Sequence, residues 1–308
     1  MRGAASVGAA LLVFLLGLSF LGVSPVLSGY VGSLHPYLVA ILLLLALFLG
    51  TLRARLRSTL TLAVALIFGG VVAFQIFSVQ SRADIPVEGP TLKLSSFNVL
   101  GTNWRNGERI ADFIAASDSD VFIVMEAEPI ARFLPRIQAT FPYRAGCDTQ
   151  RCDLTIFSKL PFITAQMLTA GETFDRRVAR LKLDKDGTVF TLIAAHITKP
   201  FLEERGRAEL KWLKELVADQ TGPLVVAGDF NQASWSPLLN GFLSETRLRT
   251  SGFEPGTFPP AFGDWGLPID HVFVREAAIG SLVAISDNMG SNHRGLAATI
   301  ALGLSPEN

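Results

Sequence analysis

The sequence predicts an α/β (α+β) fold of mixed β-sheets flanked by helices, preceded by transmembrane helices. Three features of the 308-residue chain carry that prediction. Uncharged apolar runs crowd the residues before Arg82. Beyond Pro90, short apolar strands alternate with amphipathic helices. Among these, one tight hairpin signal interrupts the crossover pattern, which excludes a purely parallel, doubly wound sheet.

Gly3–Val23, Tyr37–Leu52 and Ser58–Phe77 contain no charged residue. A bilayer core takes roughly 20 apolar residues per helix, with about 17 as the lower end. The first and third runs satisfy this, and the middle one does with His35, Pro36 and Thr51 included. The first run is longer than the apolar region of a signal peptide, about 7–15 residues, and two more follow it. Residues 1–80 therefore read as an anchor of three transmembrane helices, 81–90 as a linker and 91–308 as one domain. The first connection has no Lys or Arg, whereas the second carries Arg53, Arg55 and Arg57. With the arginines in the cytoplasm, the chain is a multi-pass protein of the cell (inner) membrane with its domain extracytoplasmic.

Cys147 and Cys152 lie close together in the polar stretch AGCDTQRCD. A disulfide suits an oxidising compartment; a metal pair fits the spacing poorly without a neighbouring His, and two idle thiols are the remaining reading. Five basic residues and no acidic one lie up to Arg82, which leaves 22 basic against 27 acidic residues beyond it. That balance lacks the broad positive field of a non-specific DNA binder.

Along the domain, TLKLSSFNV (Thr91–Val99) alternates as a strand does, and ERIADFIAAS places Ile110, Phe113 and Ile114 at helical spacing. DVFIVME is a buried strand, and PIARFLPRIQATF reads as a helix. VARLKL and VFTLIAAH flank DKDG, a hairpin signal. LEERGRAELKWLKELVADQ is an amphipathic helix, LVVAGD a buried strand, and Ser236-Pro237 a cap with Pro at the first helical position. IDHVFV and LAATIAL close the chain as strands.

Polar residues recur where these strands end: Asn98, Glu126, His196, Asp229 with Asn231, Asp270, and Asn292-His293. Each alone is explained by a turn, a cap or a satisfied core polar group. If the ends converge, they collect carboxylates, amides and imidazoles in one cleft. Such a set suits a hard cation such as Mg²⁺, which keeps several waters and binds through one or two carboxylates and substrate phosphate. A His held by an Asp adds proton transfer or charge stabilisation. No zinc spacing, nucleophile elbow or phosphate-binding Gly-rich loop is present.

FNVL, IVMEAEP, AAHITKP, AGDFNQASWS, PIDHVFV and GSNHRGL follow one another at intervals that resemble the endonuclease/exonuclease/phosphatase superfamily. The helices ahead of them are similar to a membrane-anchored bacterial subgroup. The resemblance implies a four-layer sandwich, two mixed sheets with helices outside, and metal-dependent hydrolysis of a phosphate ester by in-line attack of water. It implies Mg²⁺ (or Mn²⁺) on Glu126, with Asn98 beside it and Asn292 as a further oxygen. Asp229 positions or deprotonates the water, and Asn231 donates to the phosphate. His293, oriented by Asp270, stabilises charge or moves a proton, and His196 is a general acid. Arg294 belongs either on the phosphate or on the surface, and His271 is structural. The chain departs from the family at Ser291-Asn292-His293, where Asp is usual before the His; weaker metal affinity or loss of any second metal site is the expected result. The substrate classes left open are a lipid head group, a small phosphodiester and nucleic acid. No feature implies a protein partner. The competing reading is a catalytically silent scaffold that retains the fold.

Overall fold

The computed structural model describes residues 1–24, 26–80, 89–147, 152–169, 176–199 and 205–303. Residues 81–88 of the expected linker, 148–151 inside the cysteine loop, and the expected start of the amphipathic helix at Leu202 lie outside these.

Three helices come first, α1 (Arg2–Phe20), α2 (His35–Thr51) and α3 (Arg55–Ser78). By length and composition α1 and α3 can each cross a membrane, whereas α2 is apolar but only 17 residues long. The three pack through Ala9, Leu16, Leu42 and Ala65. Leu11, Phe14, Leu44, Leu66 and Phe74 stay exposed on their outer faces. Helices that are apolar all round are those of a buried or membrane setting.

The domain holds two mixed sheets. A six-stranded sheet takes the order β10-β11-β1-β2-β4-β3 and a five-stranded one the order β5-β6-β7-β8-β9. The first contains β1 (Thr91–Asn98), β2 (Val121–Met125), β3 (Tyr143–Gly146), β4 (Leu154–Ser158), β10 (Ala277–Ala284) and β11 (Leu296–Leu302). The second contains β5 (Phe162–Leu168), β6 (Val178–Lys185), β7 (Thr188–His196), β8 (Leu224–Asp229) and β9 (Asp270–Arg275). The pairs β1–β2 and β7–β8 are parallel, bridged by the crossover helices α4 (Gly107–Ala115) and α6 (Arg205–Ala218). All other neighbouring strands are antiparallel.

Strand alternation explains the layers. Leu92 and Leu94, Ile123 and Met125, Leu192 and Ala194, and Val225 and Ala227 meet between the sheets. The intervening residues face outward. Phe97, Phe122 and Val124 pack under α4 and α5 (Leu134–Gln138), while Ile193, Val226 and Phe273 pack under α6 and α7 (Pro237–Thr246). The result is the expected sandwich of two sheets between helices.

The DKDG turn closes with Asp186 and Gly187 both at positive φ, 50° and 87°, as a two-residue hairpin turn requires. Ser236 caps α7 by accepting from the Leu239 N–H. A disulfide joins Cys147 and Cys152, as expected. One expected helix is not continuous: Glu128–Phe133 forms a tight 3₁₀ turn and α5 starts afresh at Leu134. Pro135 lacks the N–H a helix interior needs, but it costs nothing in a first turn. Four strands, β3, β4, β5 and β10, carry no clear sequence signal. β3 and β4 carry Arg, Gly, Thr or Ser among their few apolar residues, and β5 and β10 are edge strands with one weakly patterned face.

The domain rests on the end of the helix bundle formed by the α1–α2 connection and the C-terminus of α3. Ser33 accepts from the Ala233 N–H at 2.9 Å through Oγ and from Trp235 Nε1 at 3.0 Å through its carbonyl. Thr250 N donates to Val79 O at 2.9 Å, and Asn240 Nδ2 donates to Gln75 O at 2.8 Å. Arg53, between α2 and α3, and Arg55 and Arg57, in the first turn of α3, occupy the opposite end.

Beside this contact, His271 on β9 is fully buried with both ring nitrogens on acceptors. Nδ1 reaches Glu254 Oε1 at 2.6 Å and Nε2 reaches Gln232 O at 2.9 Å. Two acceptors require two protons, so the ring is an imidazolium paired with a buried carboxylate. Burial disfavours both charges. Mutual attraction, with the hydrogen bond from Ser234 to Glu254, prevails, so Glu254 lies below its ordinary value and His271 above its own. The structural reading of His271 holds. The pair's contribution is complete between about pH 4.5 and 6.5, the ordinary values of the two groups. It fades as pH falls towards the Glu254 value and as it rises towards the His271 value. Glu254→Ala is expected to cost about 3–5 kcal/mol, since it strands a buried cation. Guanidinium unfolding followed by tryptophan fluorescence across this pH range checks both size and profile.

Candidate active site

Strand register assembles the site. In the five-stranded sheet His196 stands opposite Asp229, and Asp229 opposite Asp270, so three adjacent strands set these residues in one row. Gly228 makes the row possible. Its φ is 143°, and a Cβ there would lie 1.9 Å from Ala195 O, so only glycine lets β8 approach β7 this closely. In the six-stranded sheet Asn98 ends β1 opposite Met125, and Glu126 follows with a left-handed φ of 52°. Ser291 Oγ donates to Asn98 O at 2.7 Å and accepts from the His293 N–H at 3.1 Å. The segment before β11 is thereby tied to the same corner.

The two sheets meet chemically at one amide. Asn98 Nδ2 donates to Glu126 Oε1 and to Asp229 Oδ2, both at 3.1 Å. Glu126 Oε2 also accepts from the Gly101 N–H at 2.7 Å, and Asp229 Oδ1 from the Asn231 N–H at 2.8 Å. The Asp229 Oδ2 atom lies 3.7 Å from His196 Nε2 and 3.9 Å from His293 Nε2. Asp270 Oδ2 holds His293 Nδ1 at 2.8 Å, which fixes the ring so that Nε2 faces Asp229. Ligand-type atoms of Asp229, Asp270 and His293 lie within 4.8 Å of one another.

The electrostatics follow from burial and crowding. Asp229 is pushed above the ordinary aspartate value by burial and by the Asp270 carboxylate, against the pull of the two histidines. Burial alone would lower His293, but Asp270, Asp229, the hydrogen bond to Asp270 and Glu126 raise it to about 9. At neutral pH its ring is therefore an imidazolium.

Glu126, Asn98, His196, Asp229, Asp270 and His293 are thus drawn together. Asn98 faces both carboxylates with its NH₂ group, while its oxygen accepts from the Leu100 N–H at 3.1 Å. Two neighbouring negative charges attract the donor side of an amide, so Asn98 acts here as a donor where the resemblance implies an oxygen ligand. Asn231 sits beside Asp229 but spends one amide proton on Ile197 O at 2.9 Å. Arg294 is turned away: Nη1 donates to Gly256 O at 3.0 Å and to Asp264 at 2.7 Å. It braces a neighbouring loop and takes the surface alternative.

Two residues escaped the sequence reading. Asp153 holds His196 Nδ1 at 2.9 Å and is itself gripped by Arg177 Nε at 3.0 Å. Burial works against its charge, but His196 and Arg177 outweigh burial and keep Asp153 below its ordinary value. The available signal was an acid immediately before LTIFS, hidden because Thr155 and Ser158 break the apolar run of that strand.

Oxygen donors dominate the cluster. Asp270 Oδ1 and Asn292 Oδ1 are buried with no hydrogen-bond partner among the described residues. Unsatisfied buried oxygens are costly, and a hard divalent cation with its waters is the kind of group that satisfies them. The residues present fit such an ion.

The Endonuclease/Exonuclease/phosphatase family model matches residues 95–293. The chain belongs to that family, whose members are usually hydrolases of phosphate esters. A UPF0294 protein of Vibrio cholerae is 36% identical over 102 residues, which are 32% of this chain and 34% of the relative. That match spans about a third of the relative's length. Among solved structures, an endonuclease/exonuclease/phosphatase from Beutenbergia cavernae superposes with a TM-score of 0.57 at 17% identity, over 71% of this chain and 73% of its own. Staphylococcus aureus beta toxin, in a variant with bound magnesium ions, gives a TM-score of 0.51 at 15% identity, over 68% and 99%. These two likenesses establish the fold.

Asp153→Asn is expected to lower turnover roughly 10–100-fold, because the amide no longer fixes the His196 tautomer. Steady-state kinetics beside an unfolding curve of the same variant would separate this from misfolding, since a lost orienter slows turnover without lowering stability to match.

Proposed function

We propose that the chain is a membrane-anchored, divalent-metal-dependent phosphoesterase. Its domain (residues 91–308) stands outside the cytoplasm, joined by the 81–90 linker to a three-helix anchor in the cell membrane (residues 1–80). The observation that carries the reaction is the shared Asn98 amide, which holds one carboxylate from each sheet beside two imidazoles. Glu126 would hold Mg²⁺ or Mn²⁺, with Asn292 offering an oxygen beside it. When bound, the ion polarises a phosphoryl oxygen and offsets developing negative charge.

The chain's own residues supply the rest. Asp229, with its raised affinity for a proton, orients a water and accepts its proton. Asn231 keeps an amide N–H for a phosphate oxygen. The His293 imidazolium, held by Asp270, stabilises charge on the phosphoryl group. His196, kept in place by Asp153 and Arg177, delivers a proton to the leaving oxygen.

Orientation is supported twice. Arg53, Arg55 and Arg57 cluster where α2 turns into α3, as positive charge does on the cytoplasmic side, and the domain packs on the opposite end of the bundle.

Purified protein is expected to hydrolyse bis(p-nitrophenyl) phosphate in Mg²⁺, to stop in chelator, and to lose about 10²–10⁴-fold in rate with Asp229→Ala. Absence of both metal binding and hydrolysis would leave a silent scaffold. Asn292→Asp restores a negative charge and is expected to lower the Mg²⁺ concentration for half-maximal rate roughly tenfold, equivalent to about 1.4 kcal/mol. An unchanged metal titration would remove Asn292 from the ligand set.

A further inference from the structure

The geometry points to the loop from Phe253 to Leu267 as a bilayer-seated rim of the active site, so that the substrate is the phosphate ester of a lipid head group. This rests on the membrane-anchored reading above and specifies what the site acts on.

The loop is pinned to helix ends at two places. On its N-terminal side Thr250 N donates to Val79 O at 2.9 Å and Gln80 Nε2 donates to Gly252 O at 3.0 Å. Arg249 also bonds the Ser78 carbonyl. Near its C-terminal side the Tyr37 hydroxyl donates to Trp265 O at 2.8 Å and to Gly266 O at 3.2 Å. Ser78 ends α3 with Val79 and Gln80 just beyond it, and Tyr37 lies in the first turn of α2. These ends belong to the same side of the bundle. The ends of helices of this length and apolarity lie where hydrocarbon meets head groups, and Tyr and Trp concentrate there. The loop is consequently fixed at interface depth.

Its composition matches that depth. Phe253, Phe262 and Trp265 are 64%, 63% and 83% exposed, aromatic surface that none of the described residues covers. Glu254 and Asp264 are the only charged residues between Phe253 and Leu267. Glu254 is buried against His271, and Asp264 is paired with Arg294 at 2.7 Å. The loop presents rings and no unpaired charge, which suits an interfacial segment and not a nucleic-acid groove.

The same loop forms part of the site. The Phe258 ring lies 5.4 Å from that of His293, and Phe258 is bridged to Leu267. Thr257 O accepts from the Arg294 N–H at 2.8 Å, and Thr257 Oγ1 from the Asp270 N–H at 3.2 Å. Seating Phe262 and Trp265 in the interface therefore sets His293 and Asp270 one loop away from the head-group layer. A phosphate ester held in that layer reaches them by lateral diffusion, whereas a soluble polymer must displace lipid.

The test uses the full chain in nanodiscs of phosphatidylethanolamine and phosphatidylglycerol. The Trp265 signal is read as the difference between the natural protein and Trp265→Phe. Quenching by lipids nitroxide-labelled near the head group, with protection from iodide, supports the loop placement. Quenching by iodide and not by lipid overturns it. Phe262→Ser with Trp265→Ser is then expected to reduce phospholipid hydrolysis at least tenfold and leave bis(p-nitrophenyl) phosphate hydrolysis unchanged. An equal effect on both, or none on lipid, overturns the substrate assignment. Loss of the chain from membranes on carbonate extraction would instead refute the anchor, and inactivity of the natural protein on both esters would refute the hydrolase, so the failures are distinguishable.

Discussion

The site depends on one amide that serves two sheets. Glu126 arrives from the six-stranded sheet and Asp229 from the five-stranded one, and Asn98 donates to both. Two carboxylates brought into a half-dry corner repel each other and lose hydration. The shared amide, the Gly101 and Asn231 backbone N–H groups and the His293 imidazolium offset that cost. The stacking of the sheets is thus coupled to the charge balance of the cluster. Neither sheet alone contains both acids, and the side-chain core between them is what keeps the acids within reach of one donor.

Much of this was legible in the sequence because the site sits where strong strands stop. LVVAGD, VFIVM and FTLIAAH are buried runs whose last or next residue is polar, so their ends identified Asp229, Glu126 and His196 together. Legibility failed where the strand signal failed. LTIFS interrupts its three apolar residues with Thr155 and ends on Ser158, so Asp153 at its head passed as a loop acid beside the disulfide. Nor could any pattern of residues show which end of the Asn98 amide faces the acids, or that Arg294 would spend its charge on Asp264. Those outcomes are decided by side chains brought together across more than a hundred residues in the first case and thirty in the second.

The buried His271–Glu254 pair has a different logic from the site it adjoins. Its members satisfy each other completely, with Gln232 O and the Ser234 hydroxyl taking the remaining valences. A closed pair of this kind holds shape and does no chemistry. In the row of His196, Asp229 and Asp270, by contrast, one Asp270 oxygen has no hydrogen-bond partner among the described residues. The contrast between a saturated and an unsaturated pair on the same strand, one residue apart, separates scaffold from function more sharply than residue type does.

Gly228 carries a consequence for how such a chain can vary. With a carbonyl oxygen 1.9 Å from where a β-carbon would stand, no other amino acid fits unless β7 and β8 part. Parting them would pull His196 and Asp229 out of line together. The small residue ahead of the acid is therefore as immutable as the acid, for a reason of volume alone, and drift across distant descendants must route around it.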